Sequence, residues 1–214
     1  MYDGNGNTTA KLPYTLADEG NNSPSISLIL AGEICELFTY DGMNRLIAAE
    51  VNGVVAQYTY RTDGLRISKT VDGTATYFIW NGMNISAELD EYFDFSAKYI
   101  YGNQRIAGES GNVRKYYLYN AHGDVVQLTD DMGAVLWYYD YDAFGNEKLI
   151  AGQDPATDTN AFRYCGEYFD AETGTIYLRA RYYDPRIGRF TQQDTACQGI
   201  NWYTYCNNSP VLWL

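Results

Sequence analysis

Reactive chemistry in this 214-residue chain would have to come from one histidine, four cysteines and a scatter of close carboxylates. His122 sits in a turn-type sequence, Ala121-His122-Gly123-Asp124, where a solvent-facing structural histidine is expected. No Gly-x-Ser-x-Gly elbow accompanies it, which argues against serine–histidine catalysis. Cysteine–histidine catalysis lacks a thiol in an obvious basic setting. Cys35, Cys165, Cys197 and Cys206 show no CxxC spacing, and with a single histidine they make no zinc-type cluster. Buried free thiols are the first expectation, and a Cys197–Cys206 disulfide is the alternative for an extracellular chain. Carboxylate groups at Asp130/Asp131, Asp140/Asp142 and Glu88/Asp90/Glu91 stand beside aromatics, as in glycosidases. They recur at turn positions, however, as scaffolding predicts. Asp3-x-Asn5-x-Asn7 begins like a calcium loop, but Thr8 and Tyr14 stand where glycine and glutamate are needed. No glycine-rich phosphate loop follows a strand. No catalytic residue, metal site or cofactor is expected.

The remaining charged cluster is cationic. Arg179, Arg181, Arg186 and Arg189 lie among Asp170, Glu172, Asp184 and Asp194, and a structural ion-pair lattice is the expected use of them. Thr175 to Tyr183 is rich in strand-favouring residues and reads as one strand. Ile176, Leu178 and Ala180 would share one face of it, and Tyr177, Arg179 and Arg181 the other. Asp184-Pro185 stops it, since proline cannot donate to a ladder.

Upstream, Glu36 to Tyr141 is a repeat. Each unit carries two aromatics separated by one residue: Phe38/Tyr40, Tyr58/Tyr60, Phe78/Trp80, Tyr99/Tyr101, Tyr117/Tyr119 and Tyr139/Tyr141. The second members step by 20, 20, 21, 18 and 22 residues. A spacing of two puts both rings on one strand face. Polar, mostly glycine-containing turns follow the pairs, and Asn52-Gly53 and Asp72-Gly73 have the two-residue hairpin signature. Arg45–Val51 and Val54–Tyr60 would make strands of roughly 23 Å. Only the third unit departs, with Leu89-Asp90-Glu91 and a longer aromatic arm. One hairpin cannot bury its aromatic face alone, whereas stacked hairpins can. The expected fold is all-β, with stacked antiparallel hairpins in one curved sheet or part of a shell. Five segments follow: an irregular 1–34 with a remnant repeat turn and a strand at Ser25–Ala31, hairpin repeats over 35–153, a linker at 154–160, a core at 161–206 and a short tail at 207–214.

Several segments closely resemble the Rhs/YD-repeat family. They are Phe162-Arg163-Tyr164, Gly166-Glu167-Tyr168-Phe169-Asp170, Glu172-Thr173-Gly174, Tyr177-Leu178-Arg179-Ala180-Arg181-Tyr182-Tyr183-Asp184-Pro185 and Gly188-Arg189-Phe190. Phe38-x-Tyr40-Asp41-Gly42 and Tyr139-x-Tyr141-Asp142 resemble its Tyr-Asp repeats. Elsewhere Arg61, Asn81, Gly102 or Asn120 replaces the aspartate, which fits a turn position needing polarity rather than one fixed acid. The resemblance implies a β-shell that encloses a polypeptide, often a toxin, joined on the C-terminal side of the core. It also implies self-cleavage in many members, with core carboxylates near the scissile bond, and Asp184 and Asp194 are the candidates here. The Asp-Pro-x-Gly-Leu-like cleavage sequence is absent, so a non-enzymatic shell segment is expected. The alternative is a cell-surface adhesion or carbohydrate-binding module.

The formal net charge of −12 and pI near 4.4 disfavour nucleic acid and anionic membrane surfaces as partners. The expected partners are a toxin cargo and upstream repeats of the same parent chain, with carbohydrate under the alternative and self-association through open strand edges. Met1-Tyr2-Asp3-Gly4 is not a signal peptide, so the export signal would belong to a longer secreted or surface chain or to a dedicated secretion apparatus.

Overall fold

The computed structural model describes residues 1–11, 14–16, 28–30, 36–194 and 201–211. Cys35 and Cys197 lie outside them, and with Cys197 the alternative of a Cys197–Cys206 disulfide; of the strand expected at Ser25–Ala31, only 28–30 is described.

Local chemistry sets the turns. Among the described residues ahead of the core segment, seven share one build, starting at Asp3, Asp41, Arg61, Asp90, Asn120, Asp130 and Asp142: the first N–H donates to the fifth carbonyl, and the fourth N–H donates back to the first. The fourth residue is left-handed, with φ between 61° and 90° at Gly6, Asn44, Gly64, Phe93, Gly123, Gly133 and Gly145. Glycine is favoured there because it has no Cβ to clash. In all but the Arg61 turn, the first side chain's Oδ1 accepts the N–H groups of the third and fifth residues. Asparagine serves as well as aspartate, because only a carbonyl-type acceptor is needed. Asp3, in the segment expected to hold a remnant repeat, makes the same turn as the repeats. At Asn52-Gly53 and Asp72-Gly73 both residues have positive φ, the mirror-image turn that matches strand twist.

Most of these turns join strands of a 12-stranded antiparallel sheet. It runs β1 (Ala10–Lys11), β4 (Glu36–Tyr40), β5 (Leu46–Val51), β6 (Val54–Tyr60), β7 (Arg66–Val71), β8 (Thr74–Asn81), β9 (Asn84–Leu89), β10 (Phe95–Tyr101), β11 (Arg105–Ser110), β12 (Val113–Tyr119), β13 (Val125–Thr129) and β14 (Val135–Tyr138). β2 (Tyr14–Leu16) and β3 (Leu28–Leu30) form a separate ribbon inside the segment expected to be irregular. The core segment makes a four-stranded sheet of β15 (Tyr168–Asp170), β16 (Thr175–Leu178), β17 (Arg181–Asp184) and β18 (Arg189–Phe190).

The single strand expected over Thr175–Tyr183 is two strands. The chain reverses at Arg179-Ala180, with Arg179 at φ 58° and Leu178 paired with Arg181. No glycine, proline or asparagine marks this turn. What compensates is burial: the reversal sets Tyr177 opposite Tyr182 and Ile176 opposite Tyr183, and all four are at most 2% exposed.

Every paired aromatic of the six units except Tyr101 lies in one cluster, together with Phe162, Tyr168, Tyr177 and Tyr182 of the core segment. The second aromatic of five units also donates a hydrogen bond to a backbone carbonyl at the start of the preceding unit's strand. Tyr60 reaches Leu46, Trp80 reaches Arg66, Tyr101 reaches Ile85, Tyr119 reaches Arg105 and Tyr141 reaches Val125, at 2.6 to 3.1 Å. Tyr40, in the first unit, has a buried hydroxyl with no hydrogen-bond partner among the described residues. Tyr60→Phe should therefore destabilise the fold by about 1–2 kcal/mol, because it strips a buried carbonyl of its donor. Tyr40→Phe should cost less than half of that, and denaturant titration of the two variants side by side is the check.

The sheet curls until its ends approach each other. Pro185 accepts a hydrogen bond from Asn146, in the turn beyond β14, while the adjacent Arg186 pairs with Glu36 at the start of β4. Ten strand spacings separate β4 from β14, about 48 Å if flat. Two adjacent residues cannot bridge that distance, so the sheet wraps around the core segment.

Candidate functional site

The inner face of the curl is where the two halves of the sequence meet, and a buried ion pair stands at its centre. Arg66 enters β7 straight after its turn and is fully buried with Asp170 of β15. The two make a fork-to-fork contact, Nη1 to Oδ2 at 2.6 Å and Nη2 to Oδ1 at 2.9 Å. Such bidentate pairing is the arginine–carboxylate geometry with the strongest hydrogen bonds. Rings of Tyr58, Phe78, Tyr168, Tyr177 and Tyr182 surround the guanidinium at 4.4 to 5.9 Å from its carbon. Burial by itself would raise the Asp170 pKa, but the charges of Arg66 and Lys69 override it and hold the carboxyl below its ordinary value. Lys69 also binds Glu172 at 3.1 Å, and Tyr58 donates to the same carboxylate. Glu172 is shifted upward, by burial first and then by the neighbouring Asp170 charge.

A second arginine, Arg105 of β11, repeats the arrangement without an acid. Its guanidinium carbon lies 3.0 Å from the Phe162 ring centre, and it donates to the Gly166 carbonyl and the Tyr101 hydroxyl. Asn160, at the end of the segment expected as a linker, is buried and joins Tyr117, Tyr139 and Phe162.

The expected lattice of core arginines and acids is redistributed. Asp170 and Glu172 pair with Arg66 and Lys69 of the repeats, and Arg179 pairs with Glu167. Asp184 is fully buried and held by Lys11 and Arg186. Burial would raise its pKa, but the Arg186 hydrogen bond and the Lys11 charge keep it low. Asp194 contacts Arg181 at 3.6 Å. The two acids named for self-cleavage thus sit with different cations, and Asp184 is a locked carboxylate.

His122 does not face solvent. It is half-buried over the Tyr164 ring, with Nδ1 2.9 Å from Asp124 Oδ1 and Nε2 2.9 Å from the Pro210 carbonyl. Cys165 Sγ lies 3.8 Å from the same Nδ1, and the Cys165 N–H donates to Asp124 Oδ1 at 2.8 Å. The spacing rules that showed no zinc-type cluster compare near neighbours, and 43 residues separate His122 from Cys165. Docking of the core turn on the β12–β13 turn creates the cluster. Cys165 and Cys206 are free thiols, half-buried rather than buried, and burial pushes the Cys165 thiol up to about 12. It is therefore not a poised thiolate.

With this geometry in place, likeness to other proteins has a definite meaning. The teneurin YD-shell family model matches residues 29–211. A tRNA3(Ser)-specific nuclease, WapA, of Bacillus spizizenii is 38% identical over 188 residues, covering 82% of this chain and 8% of that protein. Double-stranded DNA deaminase toxin A of Burkholderia cenocepacia is 30% identical over 215 residues, covering 83% of this chain and 15% of that one. Among solved structures, the TcdB2-TccC3-Cdc42 crystal structure superposes with a TM-score of 0.67 at 23% identity, over 84% of this chain and 10% of that one, a likeness of fold. The chain belongs to the YD-shell family, and its all-β Rhs/YD-repeat architecture is that of a curved hairpin sheet with its core segment. It spans a small part of the curated relatives it matches.

Proposed function

We propose that this chain is a non-enzymatic length of β-shell from an Rhs/YD-repeat toxin system, exported within a longer chain, that encloses or presents a toxin polypeptide on its C-terminal side. One observation carries the proposal: the core segment lies inside the curl and ties both ends of the repeat sheet together through Asn146, Pro185, Arg186 and Glu36. The core thereby plugs and fixes the wall, leaving the cargo space to further repeats of the parent. The likeness to WapA and to deaminase toxin A supports this placement.

Two measurements test it. The purified chain should keep its mass of 24.2 kDa through prolonged incubation, and Asp194→Asn should leave that mass unchanged. A discrete C-terminal loss abolished by the substitution would show a working protease. In a parent chain with upstream repeats and a downstream polypeptide, the downstream part should resist added protease until the shell is unfolded. Digestion at the rate of the free polypeptide would overturn containment. A second reading, adhesion, rests on the exposed β9–β10 loop and the start of β10, where Tyr92, Phe93 and Phe95 are 76%, 63% and 58% exposed. Glycan binding lost in a Tyr92→Ala/Phe93→Ala variant would favour it.

A further inference from the structure

We propose that His122 Nδ1, Asp124 Oδ1 and Cys165 Sγ form a site for a single Zn²⁺ ion that staples the core segment and the following tail to the repeat sheet. The three ligand atoms lie within 4.8 Å of one another. Zinc held at about 2.0–2.3 Å from nitrogen, oxygen and sulfur needs ligand separations of about 3.3–3.8 Å in a tetrahedron. The Sγ–Nδ1 distance of 3.8 Å already fits, and the Nδ1–Oδ1 distance of 2.9 Å must open by about half an ångström.

The groups around the site are arranged as a metal would need. The Pro210 carbonyl can only accept, so His122 Nε2 carries the proton it donates there. Nδ1 can then present its lone pair, and a backbone carbonyl on the far nitrogen is the usual means of orienting a metal-bound imidazole. Nδ1 and the Asp124 carboxylate face each other across a gap that only a cation can fill, a proton or a metal. The Tyr205 hydroxyl lies 3.4 Å from Cys165 Sγ and can donate to a thiolate there. Cys165 is held in the left-handed region at φ 53°, next to Gly166 at φ 66°. A non-glycine residue in that conformation persists only where its surroundings impose it, and here its N–H is bound to Asp124 itself.

The fourth side opens to a cleft bordered by Asn120, Tyr141, Asp142 and Val211, which leaves a position for water. Coordination forms Zn–N, Zn–O and Zn–S bonds and releases the thiol proton, with any Nδ1 proton, to solvent. Two anionic ligands then neutralise the ion. A mixed N/O/S set with tetrahedral preference suits zinc better than calcium or magnesium, which take oxygen.

The test is titration of the full chain with Co²⁺ as a spectroscopic stand-in, followed by displacement with Zn²⁺. A 1:1 thiolate-to-cobalt charge-transfer band should appear, vanish on Zn²⁺ addition and be absent in Cys165→Ser. Affinity should fall by about tenfold or more in Asp124→Asn. Cys206→Ser should keep the band. No band in the native chain, or a band that survives Cys165→Ser, would overturn the proposal. Should these variants misfold, alkylation of the unmutated chain decides: Zn²⁺ should slow modification of Cys165 and leave Cys206 unchanged. Equal rates at Cys165 with and without Zn²⁺ would overturn it.

Discussion

Asp170→Asn is expected to cost about 3–5 kcal/mol, enough to unfold a chain of ordinary stability or leave it marginal. The substitution removes the negative charge opposite Arg66 while the guanidinium stays fully buried, and an uncompensated buried charge is what makes half of such a pair so costly. Replacing both partners with apolar residues, as in Arg66→Met/Asp170→Leu, should recover most of the loss, because the pair itself had to be desolvated. The sign of the pH effect follows from Asp170. Its folded pKa is depressed, so its contribution is fully present above the unfolded carboxylate value near 3.9 and is lost as pH falls through the folded value. Acid unfolding followed by circular dichroism should show a steep loss at low pH in the native chain and a shallower one in Asp170→Asn.

Tyr168→Ala should cost a similar amount, about 3–5 kcal/mol, through a different mechanism. The ring packs edge-on against Phe78 and Phe162 at 5.3 and 5.2 Å, and the Arg66 and Lys69 cations lie over it at 5.2 and 5.1 Å. Its removal opens a cavity at the junction of the repeat sheet and the core segment and exposes the ion-pair centre to water. Tyr168→Phe keeps the ring and should be nearly neutral. Chemical denaturation of both variants separates packing from hydroxyl chemistry. If Tyr168→Ala costs under about 1 kcal/mol, the core segment is not the keystone of the fold.

The contrast with the shell's surface turns shows what those two predictions depend on. Asn120 and Asp142 each satisfy their own turn within five residues, so a neighbour-by-neighbour reading finds them. Arg66 and Asp170 are 104 residues apart, and nothing near either names the other. The hairpin at Arg179-Ala180 was hidden for a related reason. Its residues favour strand, and only the burial of Tyr177 and Tyr182 on either side of the reversal makes the left-handed arginine worthwhile.

By itself the sequence determined the period of the aromatic pairs, the all-β class, the turn positions of the repeats and the Rhs/YD family, because each depends on contacts within about 20 residues or on an ordered motif. Strand alternation and turn chemistry are local properties, so the chain carries them wherever it goes. Only the tertiary structure decided that the core segment sits inside the curl. It also decided that Asp184 is paired with Lys11 and Arg186, and that His122, Asp124 and Cys165 meet. With 15 basic and 27 acidic side chains, almost any pairing is chemically allowed, so composition cannot choose among them. The choice falls to burial. A charge inside the curl must find its partner there, and which residues enter the curl is settled by how the aromatic faces of two distant segments close on each other.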